Sequence, residues 1–277
     1  MFGRRPDATR VTDLNTMRRF MPFISRRRND SLFLMRQDID AEAALEFLEK
    51  ANRERPPDRP FTLFHMLLRS CANTVFRRPG VNRFVKGYTL WQRDGVWMTF
   101  SAMREIKDGS PMLTIKRQFS KEESFEEMVD AIYDQLSAGR KGKKTTSDKE
   151  MNLALILPGF LIAGIMWVMR VADRFGMLPK SMIDSDPLFS TVFLANLGSI
   201  NYPAGFHHLW EYGTTSMFGV MGRIETGSDG RRKFQMAYTY DERIEDGLYS
   251  YITLEQMKAA IENPDLLDRL PDEPLEV

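Results

Sequence analysis

Cysteine occurs once in this chain of 277 residues, and histidine only three times. The single cysteine, Cys71, excludes an internal disulfide framework and fits a reducing compartment. It falls in an apolar run of helical spacing, where a thiol packs as a small hydrophobe. There is no CxxC pair, no HExxH and no glycine-rich phosphate loop. Nor is there an excess of one charge: 39 Lys and Arg against 38 Asp and Glu leave a net charge of +1. Nothing therefore draws the whole molecule toward nucleic acid, and no such partner is expected. The N-terminus has arginines but no apolar stretch of the secretory kind, so no signal peptide is expected and the expected location is cytoplasmic.

What is present is ordinary for a globular chain, with 43% hydrophobic and 28% charged residues, enough to bury a sizeable core. The charge is unevenly placed. Residues 1–36 hold nine arginines against three aspartates, and the stretch after Asp265 is mostly acidic. One run, Met151 to Met169, carries no charge at all and approaches a membrane-spanning length. Pro158-Gly159 near its middle weakens a straight helix.

Periodicity predicts an amphipathic helix over residues 38–55, with Ala44, Leu45, Phe47, Leu48 and Ala51 on one side. A second, more apolar helix is predicted over 61–77, stopped before Pro79-Gly80. Strands are expected in 84–106 around the turn Arg93-Asp94-Gly95. Ser120 and Glu123 have the spacing of a capping box, opening a helix that carries Phe125, Met128, Val129, Ile132 and Leu136. Residues 139–150 read as a polar basic loop. A strand is expected from Thr191 to Leu197, then a hairpin of Ser216–Glu225 and Arg232–Tyr240 around Thr226 to Gly230. Thr253 and Gln256 have the spacing to cap a last helix ending at Asn263-Pro264. No repeat is visible.

Several short motifs, in order, resemble the catalytic domain of the dihydrolipoyl acyltransferases of 2-oxoacid dehydrogenase complexes, whose fold chloramphenicol acetyltransferase shares. They are the segment Val11 to Arg19, the helix start at Phe61, the corner Arg78-Pro79-Gly80-Val81-Asn82, the run Phe193-Leu194-Ala195-Asn196-Leu197-Gly198-Ser199, the run Tyr240-Asp241-Glu242-Arg243-Ile244-Glu245-Asp246-Gly247, and Glu262-Asn263-Pro264. The resemblance spans roughly residues 8–267 and implies an α+β fold: a chloramphenicol acetyltransferase-like two-layer α/β sandwich with a mixed sheet. Residues 1–36 would then be a basic segment leading into a single acyltransferase-like domain over 37–267. Residues 151–175 would be an apolar helix inside it, and 268–277 an acidic tail. It also implies a homotrimer, an active site between subunits, and CoA or acyl-CoA as substrate. These 277 residues contain no lipoyl domain or Ala-Pro linker, so the core of a swinging-arm complex is not expected.

Acyl transfer from a thioester needs a general base and a donor for the tetrahedral oxyanion. The family's DHRxxDG motif supplies a histidine base, and its SNlG motif a serine donor. At the matching positions this chain has Glu242 and Ala195, the latter followed by Asn196. Asp246 keeps the motif's aspartate, and Arg18 matches the arginine that pairs with it, so an Asp246–Arg18 ion pair is expected to hold the site loop. Three readings of Glu242 remain open. It is a base raised by burial, a salt-bridge partner in a retired site, or a bystander to catalysis that moved within the same cavity. The third has candidates in the adjacent His207 and His208, beside Trp210 and Tyr212. Either one of them is a relocated base or a substrate-binding group, or the two are a hydrogen-bonded pair at a loop or strand end. Neighbours on a strand face opposite ways and do not easily share an ion, so no metal is expected. The leading reading is a CoA-dependent acyltransferase-like protein with a rebuilt site; the alternative is a non-catalytic trimer of the same fold that binds or scaffolds.

The apolar segment lies between two elements of one sheet, and a bilayer between them would split the sheet. A buried or intersubunit helix is expected instead, running to Phe175 with Arg170, Asp173 and Arg174 on its wet side. Peripheral membrane contact through 151–175 is the functional alternative.

Overall fold

The computed structural model describes residues 4–103, 112–140, 155–267 and 269. Strands β1 (Ala8–Arg10), β3 (Arg83–Lys86) and β4 (Thr89–Arg93) form a small antiparallel sheet in the order β1-β4-β3. Strands β2 (Leu32–Asp40), β5 (Val96–Met103), β6 (Met112–Phe119), β7 (Val192–Asn196), β8 (Met217–Thr226) and β9 (Arg232–Asp241) form the main sheet. Its order is β2-β9-β8-β7-β5-β6. Among the described residues only β7 pairs in parallel, with β5 on one side and β8 on the other, which makes the sheet mixed.

One face of the main sheet is covered by helices α2 (Glu42–Ala51), α3 (Leu63–Arg77), α4 (Phe125–Arg140) and α7 (Gly247–Glu262). Strand residues Met98, Phe100, Val192, Leu194, Met236 and Tyr238 point into this core, with Leu67, Leu68, Met128 and Met257 from the helices. Period-2 alternation sends Phe193, Phe218, Val220 and Ala237 to the other face, where residues 204–210 pack across them. Helix α1 (Thr16–Ile24) and the helices α5 (Gly159–Arg174) and α6 (Lys180–Ser185) complete the described α-helices.

The expected hairpin and central strand are present, as is the second helix, which starts two residues inward, at Leu63, with Thr62 as its cap. Residues 38–40 differ from expectation: they end strand β2, and the helix begins only at Glu42. The predicted loop over 139–150 falls almost wholly outside the described residues.

Buried charge joins the two sheets. Arg93 donates to Ser190 O at 3.0 Å and to Thr214 O at 3.1 Å, tying the segments that lead into β7 and β8 to the small sheet. Arg5 donates to Asp7 at 2.9 Å and to Asp173 at 2.7 Å. The basic N-terminal segment is thus woven into the domain rather than merely preceding it.

The uncharged segment forms a helix, as expected, but the chain does not bury it. Helix α5 is not covered by its own chain: Phe160 is 75% and Trp167 65% exposed. Asp173, expected on the wet side, is instead fully buried, paired with Arg5 and with Lys86 at 2.5 Å. The physical reason is leverage. A buried carboxylate must be paired, and two cations at the helix base supply that, so α5 is moored by its C-terminal turn. No helix among the described residues is long and apolar enough to cross a membrane.

Candidate active site

Strand β9 ends at Asp241, whose side chain is fully buried. Arg243 grips it with two hydrogen bonds of 2.7 Å, from Nε and Nη2. Arg28 stands 3.7 Å away as a second cation. Arg243 also donates to the carbonyls of Ser25 and Arg26, at 3.0 and 3.1 Å. Such bidentate pairing fixes geometry as well as charge. The turn carrying Glu242 is therefore clamped from both sides, and the Glu242 backbone N–H donates to Ser31 O at 2.9 Å. The Glu242 side chain is exposed.

The expected Asp246–Arg18 ion pair does not form within the chain. Asp246 is the N-cap of α7, where its carboxylate accepts from the Tyr249 N–H at 2.7 Å. A helix start has unsatisfied N–H groups, and an aspartate next to them is drawn there first. Arg18 donates instead to the Glu242 carbonyl at 2.7 Å. It ties α1 to the motif turn through the main chain.

Ala195 lies near the end of β7, on the sheet face opposite the helices, and offers only a methyl group. Asn196 accepts from the Ser199 N–H at 3.1 Å, and Ser199 Oγ donates back to Asn196 O at 2.8 Å. The pair sets the turn after β7. That turn lies close on β8: a Cβ on Gly198 would sit 2.6 Å from Gly222 O. Asn196 is thus occupied in local structure.

The two adjacent histidines sit on the Ala195 face. The His207 ring stacks on Phe218 at 4.2 Å between centroids and on His208 at 4.5 Å, with Trp210 at 5.1 Å. His207 Nδ1 lies 2.7 Å from the His208 carbonyl. Burial lowers the His207 pKa from its ordinary value. His208 is exposed. The segment is held by Asn29, which donates to Leu209 O at 2.6 Å, and by Arg28, which donates to the carbonyls of Trp210 and Gly213.

Sequence reasoning missed Arg28, Asp241 and Arg243 as positioning residues. Arg28 touches both the Glu242 turn and the histidine segment, yet it sits in an arginine run that reads as solvated surface. Asp241 and Arg243 flank Glu242 within the motif, and their bidentate pairing is the signal that a strand-end turn was being fixed.

The candidate groups do not all converge in one chain. Ala195 is in register with Val220, and Val220 with Ala237. Glu242 lies five residues beyond Ala237 along β9. At ~3.3 Å per residue the two are about 17 Å apart along the strands alone. The structure brings Ala195, His207 and His208 to one face, and sets Glu242, Asp246 and Arg18 at the far end. Among the described residues no cluster of three or more potential metal ligands occurs.

This architecture defines a chloramphenicol acetyltransferase-like fold, the fold of the acyltransferase cores of 2-oxoacid dehydrogenase complexes. The chain is similar to a truncated catalytic core of the 2-oxoacid dehydrogenase multienzyme complex from Thermoplasma acidophilum, with a TM-score of 0.61 and 14% identity over 93% of this chain and 100% of that one. It is similar to a probable dihydrolipoamide acetyltransferase from Listeria monocytogenes, with a TM-score of 0.58 and 14% identity over 92% of this chain and 94% of that one. A chloramphenicol acetyltransferase matches with a TM-score of 0.57 and 13% identity, over 94% and 100% of the respective chains. No family model and no curated protein sequence matches.

Proposed function

We propose that the protein transfers an acyl group from a thioester such as acyl-CoA to an acceptor hydroxyl or thiol, with His207 as general base. The observation that carries this reading is the 2.7 Å contact of His207 Nδ1 with the His208 carbonyl. A carbonyl only accepts, so Nδ1 holds the ring proton and Nε2 keeps its lone pair. The lowered pKa of the ring keeps it neutral at pH 7, the state from which a base must start. Stacking against Phe218 fixes the ring plane.

In the reaction, Nε2 takes the acceptor's proton as its oxygen or sulfur attacks the thioester carbonyl. The tetrahedral intermediate then expels the CoA thiolate, which recovers the proton from the imidazolium. Ala195 contributes no side-chain donor to the oxyanion. The rings of His208 and Trp210, each able to carry a ring N–H, stand 4.5 and 5.1 Å from the His207 ring between centroids. Glu242 is an exposed carboxylate at the other end of the sheet, and in this reading it is not the base.

A homotrimer, which the family resemblance implies, would set the Glu242 end of one chain near the Ala195 end of the next. Strand β2 supports contact between copies. It is a nine-residue edge strand with Phe33 and Leu34 exposed, a surface that proteins ordinarily cover. The second reading, a non-catalytic trimer that binds or scaffolds, is favoured by one observation, the missing donor at Ala195. Calorimetry with acetyl-CoA and longer acyl-CoAs separates the two. Binding followed by thiol release with candidate acceptors supports the enzyme, and absence of any binding supports the scaffold.

A further inference from the structure

Helix α5 leaves the body of the protein uncovered. From Gly159 to Met169 it carries no charge. Its exposed large side chains, Phe160, Leu161, Ile165, Trp167 and Val168, span about 160° of the helix at ~100° per residue. Ile162, Met166 and Met169 occupy the remaining side and are themselves only half-buried. A helix that is apolar all round belongs in an apolar surrounding, and the charge at its base indicates which one.

The base of the same helix is cationic. A cavity of about 500 Å³ opens there, lined by Arg26, Arg27, Arg28, Lys86, Arg170, Arg174 and Arg243 against a single carboxylate, Glu211. Arg28 and Arg243 are paired with Asp241, and Lys86 with Asp173. Arg174 lies over the Tyr88 ring at 4.7 Å, and Phe23 stacks on that ring at 5.1 Å, closing one wall. The turn that presents Tyr88 has Gly87 at φ 60° and Tyr88 at φ 62°. A Cβ at Gly87 would stand 2.9 Å from Arg174 O, so the bare glycine lets the helix end sit against the turn. Among the described residues, Arg26, Arg27 and Arg170 have no carboxylate partner.

We propose that α5 inserts into one leaflet of an anionic membrane, with the cavity at its base receiving phospholipid phosphate groups. Length fits. From Gly159 to Val168 the helix rises about 14 Å, near half of the ~30 Å hydrocarbon core. Trp167 then falls at the boundary and Arg170 and Arg174 at headgroup level, the order in which aromatic and cationic anchors are placed at such interfaces. Charge fits as well. Each unpaired arginine is worth roughly fivefold in affinity near an anionic surface, so three supply on the order of a hundredfold. The docking requires no catalysis.

The test is co-flotation of the purified protein with vesicles of phosphatidylcholine, with and without phosphatidylglycerol. Binding is expected to be about a hundredfold tighter with phosphatidylglycerol and to weaken with salt. Phe160→Glu with Trp167→Glu is expected to abolish it while leaving the melting temperature unchanged, since both side chains are exposed. Arg26→Gln, Arg27→Gln and Arg170→Gln together are expected to erase the preference for anionic vesicles. Inorganic phosphate at the same ionic strength as chloride is expected not to compete, because the free ion lacks the apolar contribution. No vesicle binding, or equal binding to both vesicle types, overturns the proposal. So does a Trp167 already shielded from acrylamide without vesicles, judged against Trp167→Phe, because a second copy would then be the cover.

Discussion

His65 illustrates how far one residue's protonation reaches into stability. Its ring Nδ1 accepts from the Thr62 N–H at 3.2 Å, completing a capping box at the start of α3. Burial pushes its pKa down to about 4. The unfolded chain, with an ordinary histidine near 6.5, therefore binds more protons than the folded one between pH 6.5 and 4. Stability is full above pH 6.5 and falls as pH drops through this window, by on the order of 3 kcal/mol from this group. His65→Gln preserves an acceptor at the capping position and is expected to flatten that part of the profile. Urea unfolding at pH 7 and pH 4.5 for both proteins checks it. Equal losses in the two would remove His65 as the cause. At the candidate site the same chemistry was half legible. The proposed exchange of histidine for Glu242 and of serine for Ala195 rests on the motif resemblance alone. The fate of Asp246 could not be read from it, because two demands compete for one carboxylate, and the helix start takes it over Arg18.

Elements were legible where both the local pattern and the partner were unambiguous, as in the β8–β9 hairpin and α3. Strand β2 was not. It is paired on one side only and much of its outer face stays exposed, so LFLMRQDID has no strict alternation. Helix α4 shows a degenerate signal. Ser120 and Glu123 match a capping box, but so do Ser124 and Glu127, and the second pair forms it. Ser124 accepts from the Glu127 N–H at 3.2 Å and donates its own N–H to the Glu127 carboxylate at 2.8 Å. Glu123 is taken by Arg117. Ser124→Ala is expected to cost about 1 kcal/mol of stability and Ser120→Ala a few tenths, read from urea midpoints. The reverse order would restore the first pair. The last helix repeats the lesson. Thr253 lies inside α7, bonded to Tyr249 O at 2.7 Å, and the cap is Asp246, seven residues earlier.

For the whole molecule, apolar surface is the guide to assembly. Phe33 and Leu34 on the β2 edge, and Met17, Phe20 and Phe23 on α1, remain exposed in the single chain. A trimer is expected in solution by sedimentation, and Leu34→Lys on the exposed edge is expected to shift it toward monomer. A wild-type monomer would remove the subunit-interface site. The central claim is that the fold persists while the base has moved from the motif position to His207. Its most direct measurement is CoA thiol release from an acyl-CoA by wild type, His207→Ala and Glu242→Gln, each first shown to bind acyl-CoA. Release is predicted to fall about 100-fold or more in His207→Ala and to persist in Glu242→Gln. Loss of release in Glu242→Gln, with His207→Ala unaffected, would contradict it.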